Sequence, residues 1–247
     1  MLNWFTEGGK NYAHYRPHYP VALSHYLSTL TPHHECAIDV GCGSGQLTQL
    51  LSSHFQSVLG MDPSFDQLQH AIKHPSIQYQ TASAEQLPLK HHCADLLTAA
   101  QAAHWFNLDL FYSEVKRVLK PSGVLALISY GVLRIDSADI NELFQQFYYE
   151  DIATFWPPER RLVDEGYKTL PFPFTEVTTP ILHIELEWNL MELVGYISTW
   201  SATKRILAEN KDHLLNDFFT SLQHYWPEQE AKLSVSWPIN LRVGKLV

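Results

Sequence analysis

Cysteine is scarce in this 247-residue chain, and the three present, Cys36, Cys42 and Cys93, are odd in number and lack CxxC spacing. That pattern argues against a disulfide framework or a cysteine zinc cluster and fits a reducing compartment. Basic runs are absent as well: 17 Lys and Arg stand against 26 Asp and Glu, a formal net charge of −9 with histidine neutral. Affinity for DNA or RNA comes largely from phosphate neutralisation by cations, so no nucleic-acid partner is expected, although a small anionic substrate is compatible with this balance. The longest apolar run, near Val124 to Leu133, falls well short of the ~20 residues that cross a bilayer. Met1 to Lys10 shows no basic patch followed by an apolar stretch, so a cytoplasmic location without membrane association is the expectation. HExxH is missing. The pairs His33-His34 and His91-His92 fall in apparent loops and read as solvated surface, so no metal is expected.

What is present is a folded, 45% hydrophobic chain without repeats or low-complexity tracts, long enough for one α/β domain with an elaborated cap. From Cys36 onward, short apolar runs alternate with amphipathic stretches. Cys36–Val40, Val58–Asp62, Ile77–Ala82, Ala94–Ala100 and Val124–Tyr130 read as strands. Helices are expected over Gln46–Ser53, Ser64–Lys73 and Leu108–Leu119, with a turn at Lys120-Pro121-Ser122-Gly123. Five βα units in order predict a Rossmann-like, doubly wound α/β fold: a mostly parallel seven-stranded sheet with helices on both faces. A segment rich in aromatics and prolines, Tyr12 to Leu30, precedes this core and ends in a helix from Val21. After it, Arg134–Thr179 breaks the βα rhythm, Pro180–Glu187 alternates like a strand and Met191–Leu207 looks helical. Leu233–Val247 alternates again around Trp237 and Pro238. The expected layout is therefore one domain: an N-terminal cover over 1–34, the βα core over 35–133, a mostly helical substrate cap over 134–232, and a closing antiparallel edge strand over 233–247.

The informative motif is Asp39-Val40-Gly41-Cys42-Gly43-Ser44-Gly45-Gln46, where the first strand gives way to the first helix. Glycines there permit positive φ and let a ligand approach main-chain N–H groups, with the positive helix end behind them. A dinucleotide fingerprint requires a third glycine at the position of Gln46, and a Walker lysine is missing. The tighter G-x-G-x-G behind Asp39 suits a ligand with an amino-acid end, its carboxylate facing amides and its ammonium facing acceptors. Asp62 closes the second strand, 17 positions after Gly45, where a carboxylate accepts bonds from both hydroxyls of a ribose. Its alternative is a helix N-cap, a role Ser64 could fill equally. Ser83-Ala84-Glu85-Gln86-Leu87-Pro88 follows the third strand, placed to read a base or to lie as a solvated loop.

The chain resembles the class I S-adenosylmethionine-dependent methyltransferases, in particular the methyltransferase type 11 group with members similar to trans-aconitate methyltransferases. The resemblance is carried by Tyr15-Arg16-Pro17-His18-Tyr19-Pro20, the Asp39–Gln46 loop, Gly60-Met61-Asp62, Ala84-Glu85, Ala102-Ala103-His104-Trp105-Phe106, Arg117 to Gly123, and Gly195 to Ser201. Lys120-Pro121-Ser122-Gly123 departs from the usual Lys-Pro-Gly-Gly within a turn. The resemblance implies S-adenosylmethionine as cofactor and S-adenosylhomocysteine as product. It assigns cofactor contact to Tyr15, Arg16, Asp39, Gly41, Cys42, Gly43, Gly45, Gln46, Asp62, Pro63, Ala84, Glu85 and Gln101.

Methyl transfer from a sulfonium is an in-line displacement, accelerated mainly by holding the nucleophile close to the methyl carbon. A carboxylate acceptor is already ionised at neutral pH, whereas a phenol profits from a base. His104, after the fourth strand, is the candidate base, with pocket shaping as its alternative. Tyr19, Trp105, Trp156, Arg161, Tyr196 and Trp200 are candidate substrate contacts; in the cap Trp156, Arg160, Arg161, Tyr196 and Trp200 combine aromatic walls with positive charge suited to an organic or aromatic acid, with simple cap packing as the alternative for each. The expected activity is O-methylation of a small acid or aromatic hydroxyl by a monomer or homodimer. Rival readings are a non-catalytic adenosylmethionine-binding regulatory module and, disfavoured by Gln46, a nicotinamide oxidoreductase.

Overall fold

The computed structural model describes residues 15–228 and 230–246; the expectations for Tyr12 and the rest of 1–14 lie outside the described residues. The chain begins with α1 (Val21–Thr29), β1 (Cys36–Val40), α2 (Gln46–Leu51), β2 (Ser57–Asp62), α3 (Phe65–Gln69), β3 (Ile77–Thr81), β4 (Ala94–Ala100), α4 (Leu108–Val118) and β5 (Leu119–Tyr130). It continues through β6 (Arg134–Ile135), α5 (Ala138–Gln146), α6 (Arg160–Asp164), β7 (Thr175–Glu176), β8 (Leu182–Trp188), α7 (Leu190–Ser198), α8 (Ser201–Ala208), α9 (His213–Tyr225) and β9 (Leu233–Lys245). Two compact units result. One comprises His18–Gly131, Arg161–His183 and Pro238 onward; the other comprises the described residues through Pro17, Val132–Arg160 and Ile184–Trp237.

The first unit holds the parallel sheet. β1 and β4 are almost wholly buried along their length, as strands covered by helices on both faces must be, which is why they read as unbroken apolar runs. The order is β3-β2-β1-β4-β5, with β1–β2, β2–β3, β1–β4 and β4–β5 all parallel. Strand order reverses between β1 and β4, the switch point where open α/β sheets leave a crevice beyond their carboxyl ends. The second half of β9 then pairs antiparallel with β5, from Tyr130↔Ile239 to Val124↔Lys245, as expected in direction, but it is not the expected edge, because β7 pairs with the same residues on the other side, at Thr175↔Lys245 and Glu176↔Gly244. β6 extends the path to seven strands, and β7 and β8 also pair with β9. The expected doubly wound sheet is present.

Three local expectations shift. α3 ends at Gln69, not Lys73, because the Ile72 N–H is drawn to the Ser44 carbonyl at 3.1 Å. The Lys120–Gly123 turn lies inside β5: pairing jumps from Ala94↔Leu119 to Leu96↔Val124, so those residues form an irregularity within the strand. The helix expected over Met191–Leu207 is two helices broken at Thr199-Trp200. There the Thr199 hydroxyl donates to the Tyr196 carbonyl (2.6 Å) and that of Thr203 to the Ile197 carbonyl (2.7 Å), satisfying the last turn of α7.

The second unit is mostly helical around an aromatic core. Phe147 and Phe218 stack at 3.8 Å, and Trp237, fully buried, meets Trp188 and Tyr196 edge to face. Asn189 and Glu192 form a capping box that starts α7. Residues 161–183, which the sequence assigns to the cap, belong instead to the sheet unit. Their Val163, Tyr167, Leu170 and Phe174 are buried in its core.

Candidate functional site

Three glycines in the loop after β1 take left-handed backbone, at φ +69 (Gly41), +53 (Gly43) and +83 (Gly45), and they do so for different reasons. A Cβ on Gly41 would stand 2.5 Å from the Ala102 Cβ, and one on Gly45 would strike the Tyr79 hydroxyl, with its Cζ at 3.0 Å. Those two glycines let the protein pack on itself. A Cβ on Gly43 would meet, among the described residues, nothing nearer than the Gln67 Oε1 at 3.9 Å. Gly43 is the member of the three that leaves room for something else.

The expectation that amides of this loop present themselves to a ligand carboxylate is corrected at four residues. Gly41 and Cys42 N–H both donate to the Met61 carbonyl (2.7 and 3.1 Å), Gly45 N–H to the Cys42 carbonyl (2.9 Å), and Gly43 N–H to Asp62 Oδ2 (2.9 Å). The loop folds onto β2 through its own donors, so its glycines act through shape. Cys42 is half-buried; burial, with Asp39 and Asp62 adding, pushes its thiol far above the ordinary range, which keeps it protonated. Gln46 opens α2 directly after Gly45.

Asp39 lies beneath the loop. Its Oδ2 accepts from Thr48 (2.6 Å) and its Oδ1 from Thr98 (2.8 Å), tying β1 to α2 and β4. Burial raises its pKa to about 6 despite those hydrogen bonds. Engaged this way, Asp39 fixes the loop to α2 and β4. Asp62, at the end of β2, accepts from Gly43 N–H and, through Oδ1, from Ser64 N–H (2.8 Å). The N-cap of α3 is Ser64, whose hydroxyl accepts the Gln67 N–H (3.3 Å), so Asp62 is not consumed as the cap. Pro63 beside it is exposed.

After β3, Ala84 is buried, and the Glu85 Oε1 accepts the Asn107 N–H at 3.0 Å, just ahead of α4. The same segment is clamped from α4. The Leu87 N–H donates to Glu114 (2.7 Å), and Arg117 pairs with Glu114 while donating to the Leu87 and Leu89 carbonyls. At the end of β4, Gln101 has φ +54, uncommon for a residue with a side chain and a marker of a held, strained position. Its N–H donates to the Ile128 carbonyl (2.8 Å) and its Nε2 to the Tyr130 carbonyl (3.3 Å). His104 follows in a short 3-10 turn, its Nδ1 2.9 Å from the Tyr167 hydroxyl and its ring 4.8 Å from that of Trp105, which is 62% exposed. Tyr19 is buried, with its ring 6.2 Å from that of Tyr130.

The sheet unit thus collects the expected residues from Tyr19 through Trp105, plus Arg161; Tyr15, Arg16, Trp156, Tyr196 and Trp200 belong to the helical unit. There Tyr15 packs on Gly195, and Arg16 donates to the Thr199 carbonyl (3.4 Å) with its guanidinium 5.9 Å from the Tyr196 ring centroid. Tyr196 accepts a bond from Trp237 (3.2 Å), and Trp200 is buried against Trp156 at 5.2 Å. The arginine beside these aromatics is Arg160, 5.1 Å from the Trp156 ring and 5.6 Å from that of Tyr148. Arg161 is instead 76% exposed and paired with Glu165. Sequence reasoning also missed Tyr79 and Tyr167, because nothing local marks an ordinary tyrosine that fills a distant glycine's space or holds a distant histidine. Among the described residues no cluster of three His, Cys, Asp or Glu is placed to hold a metal, and no helix is long and apolar enough to cross a membrane.

Residues 38–127, which contain this loop, β2 to β4 and most of β5, match the family model described as a methyltransferase domain. A Dictyostelium discoideum protein described as a methyltransferase is 34% identical, covering 98% of this chain and 94% of its own length. An uncharacterized methyltransferase of Schizosaccharomyces pombe is 32% identical over 81% of this chain and 79% of its own. Among solved structures, one from Anaeromyxobacter dehalogenans described as a type II methyltransferase superposes with a TM-score of 0.87 at 39% identity, covering 93% of this chain and 97% of that one.

Proposed function

This chain belongs to the methyltransferase domain family, and from that premise we propose that it methylates an oxygen of a small molecule, a carboxylic acid or an aromatic hydroxyl, from S-adenosylmethionine. The observation that carries the reading is the open space over Gly43 beside a carboxylate that is not used as a helix cap. The residues present fit the cofactor. A glycine cradle that a Cβ would fill admits its methionine end, and Asp62 retains oxygen lone pairs for the ribose hydroxyls. When bound, S-adenosylmethionine supplies a methyl carbon on a sulfonium, whose C–S bonding pair returns to sulfur as an acceptor oxygen bonds to carbon.

This chain's own residues divide the remaining work. Gly41, Cys42, Gly43, Gly45 and Gln46 shape the cradle, Asp39 holds it from beneath, and Asp62 with Pro63 borders the ribose. Ala84 and Glu85 border the adenine, Gln101 marks the methyl end, and Tyr15 and Arg16 complete the cofactor set. His104 takes the proton of a hydroxyl acceptor; an acceptor already ionised needs no such step. Acceptor recognition is assigned to Tyr19, Trp105, Trp156, Arg161, Tyr196 and Trp200, with Arg160 as the cation beside Trp156. A cytoplasmic protein, working as monomer or homodimer without nucleic acid, is part of the same proposal.

The test is calorimetric titration of the full chain with S-adenosylmethionine and S-adenosylhomocysteine, followed by an acid and phenol panel scored by S-adenosylhomocysteine release. Micromolar binding that is lost in Gly43→Val and Asp62→Ala, together with turnover on the panel, is the expected result. Absence of binding to the wild type removes the proposal. Tight binding without turnover on any acid or phenol replaces it with the non-catalytic module.

A further inference from the structure

The segment between α6 and β7 carries a tyrosine that the proposed reaction has not yet used. Tyr167 is fully buried, yet its backbone sits at φ +60, directly after Gly166 at φ +65. Two successive left-handed residues are uncommon, and for the one with a side chain the conformation is strained. Such a conformation persists only where its surroundings over-determine it, and here they do. The Tyr167 N–H donates to the Leu162 carbonyl (2.8 Å), and its own carbonyl accepts from Arg242 Nη1 (3.0 Å). Arg242 also donates to the Leu170 carbonyl (2.5 Å), pairs with Glu176 and lies over the Phe172 ring at 4.6 Å. A Cβ on Gly166 would meet the Asn240 Cγ at 2.7 Å, so the approach to β9 admits only glycine.

All of this delivers one atom. The Tyr167 hydroxyl lies 2.9 Å from His104 Nδ1, with the two rings 6.0 Å apart and 31° from parallel. An imidazole has two nitrogens, and the partner of one fixes both the ring orientation and the nitrogen offered to other chemistry. We propose that Tyr167 is the positioning residue for His104: its hydroxyl oxygen accepts the Nδ1–H of the neutral imidazole, which leaves Nε2 unprotonated and able to take the proton of the methyl acceptor. The inference rests on the reading of His104 as the group that meets the acceptor. A phenol is neutral through the physiological range, so it orients the ring without the fixed charge a carboxylate would bring. The Arg242–Glu176 pair acts further out, holding the backbone that aims the tyrosine.

The experiment is a two-bond ¹H–¹⁵N spectrum of the full chain labelled at histidine nitrogen, with His104 assigned by its disappearance in His104→Asn. The wild type is expected to show His104 in a single tautomer, with its proton on Nδ1. Tyr167→Phe, which keeps the ring and deletes only the oxygen, is expected to release it into a mixture of tautomers. In the same variant S-adenosylmethionine affinity should stay within about twofold, and kcat on a hydroxyl acceptor should fall about tenfold. A tautomer mixture at His104 in the wild type, or a proton on Nε2, overturns the proposal whether or not any variant folds. An unchanged His104 spectrum in folded Tyr167→Phe overturns it as well. Full turnover in His104→Asn would instead defeat the reading of His104 as a base, while the spectral change in Tyr167→Phe would still establish what holds the imidazole.

Discussion

Placing one methyl group at Gly43 or at Gly45 separates what the glycine loop does for the protein from what it does for a ligand. In Gly43→Ala the new Cβ enters open space, its nearest described atom being the Gln67 Oε1 at 3.9 Å. The cost is then the left-handed backbone alone, about 1–2 kcal/mol for a residue with a Cβ, or a fall in Tm of roughly 2 to 8 °C for a chain of this size. In Gly45→Ala the same backbone cost is joined by collision with the Tyr79 hydroxyl, whose ring also faces Gly60 and which donates to the Ile72 carbonyl at 2.9 Å. Overpacking of this kind adds about 1–3 kcal/mol. Differential scanning calorimetry should therefore rank Gly45→Ala well below Gly43→Ala, and adding Tyr79→Phe should restore part of the loss only in the Gly45→Ala background, as a coupled pair requires. Isothermal titration should show the reverse order of interest: Gly43→Ala, though well folded, loses at least tenfold in S-adenosylmethionine affinity. Wild-type affinity in Gly43→Ala, or equal stability of the two variants, refutes the division of labour drawn from the Cβ geometry.

Two acid-range predictions have opposite signs. Asp39 has a folded pKa of about 6 against 3.8 for the free group, so the folded state holds its proton more tightly; the stability this provides is complete below about pH 4 and lost as pH rises through 6. That loss is on the order of 3 kcal/mol, and urea unfolding of Asp39→Asn should lack this slope. His54 has its pKa lowered by burial and by the neighbouring His25 and His34, so stability is present above the free value of 6.5 and lost as pH falls through the folded one; His54→Gln should flatten the acid limb below pH 6.5 in thermal melts. Arg160→Ala should cost about 1 kcal/mol in urea unfolding by removing the cation over Tyr148 and Trp156. Arg161→Ala, which breaks one exposed pair with Glu165, should cost under about 0.5 kcal/mol.

Legibility in the sequence followed locality. The glycine loop, Asp62 and the five parallel strands were readable because each signal lies within a few consecutive residues: a strand buried on both faces is an apolar run, and a sharp strand-to-helix turn needs glycine. The end of α3 was not readable, since it depends on the Ile72 amide finding the Ser44 carbonyl of the glycine loop. Nor was the use of Asp39, whose two oxygens are taken by Thr48 and by Thr98, the latter on another strand. That Arg160 lies over the Tyr148 and Trp156 rings while Arg161 pairs with Glu165 turns on one residue of helical phase at the start of α6. The sequence break at Thr199-Trp200 was hidden because two short helices share one apolar periodicity, and only the threonine hydroxyls bonding back to Tyr196 and Ile197 mark the interruption.

The pairing of β5 with the second half of β9 joins Val124–Tyr130 to Ile239–Lys245, strands separated by more than a hundred residues of intervening chain. A pairing so remote in sequence closes late, because the entropy of a long loop must be met before any ladder bond forms. During synthesis, β1 to β5 are made as a nearly complete parallel sheet whose last strand has an open, apolar edge until residues 238–245 emerge. An edge of that kind is a template for the wrong strand. The order of manufacture thus gives the nascent chain a period in which a chaperone, or a second copy, competes with its own β9 for the same row of backbone donors and acceptors.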